Sequence, residues 1–379
     1  MAGMSRRKFL GSAAVLALAS GINAHDNRKE KEVDKTANIL NFNSEMKYRR
    51  MGKMDVHLSV LSLGGIGMSE TIANYAIDRG INLIHMSPTY REGRSILELA
   101  KVLKGKREKV YIAMKDNFYK GSVDDINDVL KILNTDYIDF IMFNRHNASQ
   151  VDDPRIYELF EKWRAQGKAH YIGLTTHNDV KKCVHTAIES GKYHLVMPSL
   201  NQPGLENMTE ELKAANEKGV SIMAMKTLKG IDDEKLQMAF LKKLMQNPAI
   251  TTVTKAINSF DMLDLLVETT QKALSMQEDI SLYRYAQKNR SNNCMMCGEC
   301  KKACPYSIEI STSLRCKMYY YDQLEDKELA LNTYQSIPPA NRFENKCNNC
   351  YECENVCPNY ISIIQKLEEA SNLFKSLSV

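Results

Sequence analysis

Between residues 58 and 256 the chain alternates short apolar runs with segments whose apolar positions recur every three or four residues. The runs are LSVLSLGG (58–65), INLIHMS (81–87), KVYIAMK (109–115), YIDFIMFN (137–144), AHYIGLTT (169–176), HLVMPSL (194–200), VSIMAMKTL (220–228) and AITTVTKA (249–256). They are apolar almost throughout rather than at every second position, which predicts strands buried on both faces. Between them, SILELAKVLKG, DDINDVLKILN, PRIYELFEKWRAQG and TEELKAANEKG read as amphipathic helices, several ending at a glycine that can adopt the left-handed cap conformation. A hairpin-like YRRMGKMDVHLS precedes the first run. Eight such units in about 230 residues predict an α/β fold, a closed (β/α)8 TIM barrel over 46–280. An open doubly wound sheet would need a G-x-G-x-x-G turn after its first strand, and there is none. Barrel chemistry sits at the C-terminal ends of the strands. Those ends offer His85, Tyr90, Lys115, Asn144, His146, Thr175, Thr176, His177, Asn201 and Lys226.

The alternation stops near residue 280, and cysteines take over. CMMCGECKKACP (294–305) and CNNCYECENVCP (347–358) each place three cysteines at every third position, a fourth after a gap of three, then a proline. This run wraps three thiolates around one face of a cubane, and in two-cluster ferredoxins the fourth thiolate crosses to the other cluster. The spacing predicts two [4Fe-4S] clusters in a small, mostly helical ferredoxin-like domain over 281–379. One would be held by Cys294, Cys297, Cys300 and Cys357, the other by Cys347, Cys350, Cys353 and Cys304. Zinc favours separated C-x2-C pairs, and disulfides would leave some of these crowded thiols unpaired. Cys183 and Cys316 stand apart from the runs and read as packing residues.

Composition adds bounds. A chain of 379 residues, 44% hydrophobic, suits two domains with a sizeable core. The formal charge of +5 falls to about +2 without Arg6, Arg7 and Lys8, and no basic patch argues for nucleic acid. Those three residues open MSRRKFLGSAAVLALASGINA, where a mild apolar stretch from Phe9 to Ile22 leads to a small residue at Ala24. The segment is too short for a stable membrane span. Its paired arginines resemble a twin-arginine export signal over 1–24, which carries proteins across the membrane already folded. An ordinary secretory signal or a basic tail is the competing reading. Clusters must be built in the cytoplasm before passage to an oxidising compartment, so signal and cysteine runs agree on a periplasmic destination. Residues 25–45, polar and without period, read as a flexible linker.

The blocks YRRMGKMDVHLSVLSLGGIGM, INLIHMSPTYREGRSILELAKVLKGKREKVYIAMK, DYIDFIMFN, GKAHYIGLTTHN and AMKTLKG, followed by the cluster pair, resemble the aldo/keto reductases. Specifically they resemble the branch with a C-terminal ferredoxin-like extension, over essentially residues 46–379. The resemblance implies carbonyl reduction with a nicotinamide cofactor, a tyrosine proton donor, a lysine that lowers its pKa, an aspartate behind the lysine and a histidine that orients substrate. Carried across, the tyrosine is Tyr90 in SPTY and the lysine Lys115 in IAMK. The other two positions depart: His85 stands for the aspartate and Asn144 for the histidine, with His146 two residues further on. The nucleotide side departs further. Lys255 and Ala256 replace a P-G pair, Asn258 a basic residue, Leu266 an asparagine, and Met197 the glutamine that would hold the nicotinamide amide. Thr175, Thr176, Asn201, Lys226 and Lys255 remain as candidate cofactor contacts.

These substitutions argue against tight NADP(H) binding, and an exported protein meets no ordinary pool of that cofactor. One reading is therefore an exported iron-sulfur oxidoreductase, with Tyr90 as acid/base and Lys115 tuning it. It would pass electrons between a redox partner protein and a site at the barrel mouth, where a small-molecule substrate could bind. Two alternatives stay open: a non-enzymatic electron carrier with the barrel as scaffold, and a conventional NADPH-dependent carbonyl reductase.

Overall fold

The structure, a computed structural model, describes residues 39–116, 125–321 and 327–377. A two-stranded antiparallel hairpin, β1 (Tyr48–Arg50) and β2 (His57–Ser59), precedes eight parallel strands. These are β3 (Leu61–Gly64), β4 (Leu83–Met86), β5 (Tyr111–Lys115), β6 (Ile138–Asn144), β7 (Ala169–Thr176), β8 (Leu195–Pro198), β9 (Ser221–Ala224) and β10 (Ile250–Lys255). They pair in sequence order, and β10 pairs with β3 to close the barrel. The eight predicted runs and the eight strands coincide in place. The run at 220–228 is cut short because Lys226 takes a positive φ of 54°, which ends extended pairing after the Ser199 to Met225 bridge.

The interior is filled by Leu83, Ala113, Phe140, Met142, Leu195, Met197, Met223 and Met225, all buried. Met51, Val56 and Leu58 join this cluster from the hairpin and plug the end of the barrel where the strands begin. The hairpin turn depends on Gly52: at φ 50° it lies against the Gly219 carbonyl, where a side chain has no room. With the base closed, the opposite mouth is the end where barrels of this kind carry chemistry.

Two boundaries differ from expectation. Residues 39–45 are packed onto the barrel, not part of a flexible linker. Asn41 donates to the carbonyls of Ile77 and Ile81, Asn82 donates to the Leu40 carbonyl, and Ile39 is buried. At the other end, residue 280 falls inside the helix Met276–Lys288, held to the barrel by Lys242–Glu278 and Lys243–Asp279 ion pairs and by Gln202 donating to the Leu282 carbonyl. The cysteine-bearing region therefore begins near residue 290. It is helical, with Ile310–Tyr321 between the two cysteine runs and Ile363–Ser376 after them. The export segment 1–24 and the rest of the linker to residue 38 lie outside the described residues. Among the described residues no helix is long and apolar enough to cross a membrane.

Candidate functional site

The two cysteine runs fold alike because their backbones turn at matching positions. Met296 and Asn349, two residues after each first cysteine, have φ of 57°. Gly298 and Tyr351 follow at 83° and 63°, and Ser307 and Tyr360 at 53° and 55°. Five of these six are not glycine, so each run holds a conformation that costs energy unless its surroundings impose it. Seven of the eight thiol residues are wholly or partly buried, and Cys350 is exposed. Cys294, Cys297, Cys300 and Cys357 line one small cavity, with Ile361 and Ile363. Cys304 stands beside Cys353 and Cys347. Each fourth thiol thus lies near thiols of the other run. All of these cysteines are free of disulfides, and Met296 N–H donates to Cys294 Sγ at 3.3 Å. A soft four-thiol set around an apolar-backed cavity fits an iron-sulfur cubane. Among the described residues no group of three or more His, Cys, Asp or Glu is set for a single metal ion.

The first run is bolted to the barrel mouth. Asn201, past the end of β8, donates to the Cys294 carbonyl at 3.1 Å and accepts from Gly204 N–H. Val180 N–H donates to the Met296 carbonyl, Asn293 to the Gly230 carbonyl, and Lys302 pairs with Asp179 at 3.2 Å. These contacts swing the helix Ile310–Tyr321 across the mouth and roof a cavity of about 1260 Å³.

The barrel side of that cavity carries His85, Tyr90, Lys115, Asn144, His146 and His177, with Lys226 and Lys255 further out. Lys115 Nζ is 3.5 Å from His177 Nε2 and 5.4 Å from the centre of the Tyr90 ring. The lysine amine therefore lies over the ring of Tyr90. Burial, with a contribution from Tyr319, pushes the Tyr90 phenol above its ordinary range, so it keeps its proton at neutral pH. Burial and the Arg315 guanidinium pull the Lys115 ammonium down to about 7, partly countered by Asp116. That carboxylate is the residue the sequence reading missed: buried one position after Lys115, it pairs with Arg145 at 2.7 Å and accepts from Asn144 N–H at 2.8 Å. It partly replaces the charge lost where His85 stands for aspartate. Burial, with Lys115 beside it, lowers His85, and burial followed by the nearby cations lowers His177, so both are neutral; His146 falls to about 3 for the same reasons.

Of the candidate cofactor contacts, Lys226 and Lys255 line the cavity, whereas Thr175, Thr176 and Asn201 do not. Thr176 donates to the Asn178 carbonyl, and Asn201 is spent on its cap and on Cys294. Burial brings half-buried Lys255 down to about 8. Met197 is in the barrel core and Leu266 is buried on the helix Phe260–Gln271, so neither presents a polar group to a nucleotide. Cys183 and Cys316 are both buried, as packing residues should be.

The second domain supplies what strand-end reasoning could not reach. Tyr319 meets Lys226 Nζ at 2.9 Å, and Arg315, 7% exposed, reaches into the cavity. Both come from SLRCKMYYY, whose basic and aromatic residues at four-residue spacing were the available signal.

A parallel eight-stranded barrel with a polar mouth, roofed by a domain of paired four-cysteine runs, defines a redox protein of two fused parts. Residues 68–289 match the aldo/keto reductase family, and the chain belongs to it. Residues 290–361 match the 4Fe-4S dicluster domain. Among solved structures the chain is similar to an aldo-keto reductase of Bacillus halodurans in its holo form, at 21% identity over 63% of this chain and 96% of that one, with a TM-score of 0.52. It is also similar to an aldo-keto reductase of Klebsiella pneumoniae in complex with NADPH, at 18% identity over 63% and 94%, with a TM-score of 0.51. These likenesses establish the barrel fold. The protein is an oxidoreductase of the aldo/keto reductase superfamily with a 4Fe-4S dicluster domain.

Proposed function

We propose that this oxidoreductase is exported by the twin-arginine route to the periplasm with two [4Fe-4S] clusters already in place. There it exchanges electrons between a redox partner protein and a small molecule in the barrel-mouth cavity, without relying on NADP(H). The observation that carries this reading is the shared cavity: Arg315 and Tyr319, from between the cysteine runs, line the same space as Tyr90, Lys115 and His177. Cys294, Cys297, Cys300 and Cys357 would hold the cluster nearer the barrel, and Cys347, Cys350, Cys353 and Cys304 the other; bound clusters supply single electrons.

The barrel residues handle protons. Reduction of a carbonyl to an alcohol consumes two electrons and two protons. Tyr90, protonated and buried, is suited to donate one of them. Lys115, poised near 7, can carry the second, and His177 fixes its ammonium. His85 lies behind this pair with its ring centre 6.0 Å from that of Tyr90, and Asn144 offers an amide oxygen with no partner among the described residues.

The test is anaerobic purification followed by iron and sulfide analysis, with about eight of each expected. Dithionite should bleach the chromophore and NADPH should not; about two zinc ions and no colour would overturn the cluster assignment. Replacing Arg6 and Arg7 by lysine should strand cluster-loaded protein in the cytoplasm, and undiminished export would overturn the route.

A further inference from the structure

We propose that the roofed cavity is built for an oxyanion, a carboxylate or phosphate group on its small-molecule ligand, gripped by Arg315 and Lys226 with Lys115 behind them. This rests on the reading of the cavity as the substrate site and names the chemistry that substrate must carry.

The first ground is charge. Arg315 acts on both Lys115 and Lys226, and Lys115 acts on Lys226, so the three basic groups lie within electrostatic reach of one another. Arg315 forms no ion pair among the described residues. The carboxylate nearest Lys115, that of Asp116, is already engaged by Arg145. The acids on the roof are engaged as well: Glu309 with Lys301 and Thr312, Glu328 with Arg94. Like charges gathered on buried side chains oppose each other's ionised forms, and a fold keeps such a set when a ligand of opposite charge offsets it. Arginine cannot escape by releasing its proton.

The second ground is unmet hydrogen bonding. Arg315 Nε and His177 Nδ1 are buried without partners among the described residues. Buried polar atoms without partners are uncommon in native folds and call for explanation. A planar guanidinium with a free Nε presents the two-donor edge that pairs with a carboxylate or phosphate. Lys226 is held toward the same space by Tyr319, whose hydroxyl is 2.9 Å from Nζ and would hand the ammonium to an arriving anion.

The third ground is the source of the grip. Arg315 and Tyr319 belong to the cluster domain, and Lys226 and Lys115 to the barrel. An anion bound between them would fasten the two parts across the cavity and set the rest of the ligand over Tyr90.

The experiment is isothermal titration of the full, cluster-loaded, oxidised chain with inorganic phosphate and, separately, with malonate, at ionic strength held constant with sodium chloride. Saturable binding of at least one probe is expected, and the tighter one identifies the headgroup. Arg315→Gln and Lys226→Met should each weaken it at least tenfold, while Lys218→Gln, which removes an equal charge from the outer surface, should leave it unchanged. Cluster absorbance of each variant reports that it is folded. Absence of saturable binding by either probe, or equal weakening by Lys218→Gln, would overturn the proposal. No turnover is involved, so binding without substrate-linked electron transfer would remove the redox reading and leave the anion site standing. Electron transfer without anion binding would do the reverse.

Discussion

The two cysteine runs share spacing and backbone turns, yet their surroundings differ. The first is packed on the barrel through Asn201, Val180, Gly230 and Asp179. The second faces outward: Cys350 is exposed, with Tyr351 at 53% and Tyr360 at 78% exposure beside it. A local motif therefore fixes how thiols are held, while its place in the fold fixes what they face. The inner run lies against the barrel and the outer one against solvent, so the two ends of the domain can be tested separately.

The largest expected effect tests whether inner and outer sets exchange their fourth thiols. Cys304→Ser should disturb the outer cluster, whose other ligands are Cys347, Cys350 and Cys353, and remove up to about four of the eight irons. Cys357→Ser should do the same to the inner one. Electron paramagnetic resonance of each reduced variant distinguishes the two, and a Cys304→Ser spectrum altered only in the inner cluster would break the crossing.

Next in size is nucleotide binding at the inner end. Tight grip on an adenosine phosphate and a nicotinamide amide rests on hydrogen bonds worth roughly 1.5 to 3 kcal/mol each where charge assists. Asn258, Leu266 and Met197 forgo about three, and the loss of about 4 kcal/mol is about a thousandfold in affinity. Lys255 and Lys226 are point charges that do not restore three directed contacts. Calorimetric titration of cluster-loaded protein with NADPH and NADH should show no binding at micromolar concentration. A dissociation constant of a few micromolar would instead make the inner end a conventional carbonyl reductase site with the clusters as an outlet.

The barrel was legible because buried parallel strands write continuous apolar runs, and β7 fell on its predicted residues from Ala169 to Thr176. The cysteine runs were legible because ligand spacing is local. What could not be read was which residues share a space across the domain junction. Arg315 and Tyr319 are more than 80 positions from Lys226, and nothing in SLRCKMYYY says which strand end it will cover. Asn201 shows the same limit from the other side: its position at a strand end suggests a cofactor contact, and tertiary packing spends it on the Cys294 carbonyl. Asp116 was passed over because the family's aspartate was sought at His85, one strand away.

A smaller effect concerns proton balance in the cavity. The Lys115 value of about 7 lies below the ordinary 10.5, so between these limits the unfolded chain holds a proton that the folded chain releases. Stability from this group therefore rises with pH across that window, and its cost is fully present below about 7. Lys115→Met removes the cost. The variant should be more stable than the parent by about 1 to 3 kcal/mol at pH 6, with the gap closing toward pH 10. Anaerobic melts followed by circular dichroism across that range check it. A gap that does not change with pH would mean Lys115 is charged in the folded protein and is already paired.

The smallest effect in stability is at the outer end, where it sharpens the contrast most. Tyr351 and Tyr360 expose their rings beside the second run, and Tyr360 has the Arg290 guanidinium 5.9 Å from its ring centre. Exposed side chains of this kind change stability by about 0.5 kcal/mol or less when truncated. Their aromatic surface is of the type enriched where proteins meet. Tyr351→Ala and Tyr360→Ala should therefore melt like the parent and be reduced by dithionite at the same rate, since a small reductant needs no docking face. Electron exchange with a protein donor should slow several-fold in stopped-flow measurements. Lys302→Gln, which cuts the inner run's link to Asp179, should leave that protein-to-protein step unchanged. If dithionite reduction slowed equally in the tyrosine variants, the rings would be supporting the cluster and not a partner. If Lys302→Gln slowed docking as much as they do, the inner and outer ends would not be functionally distinct.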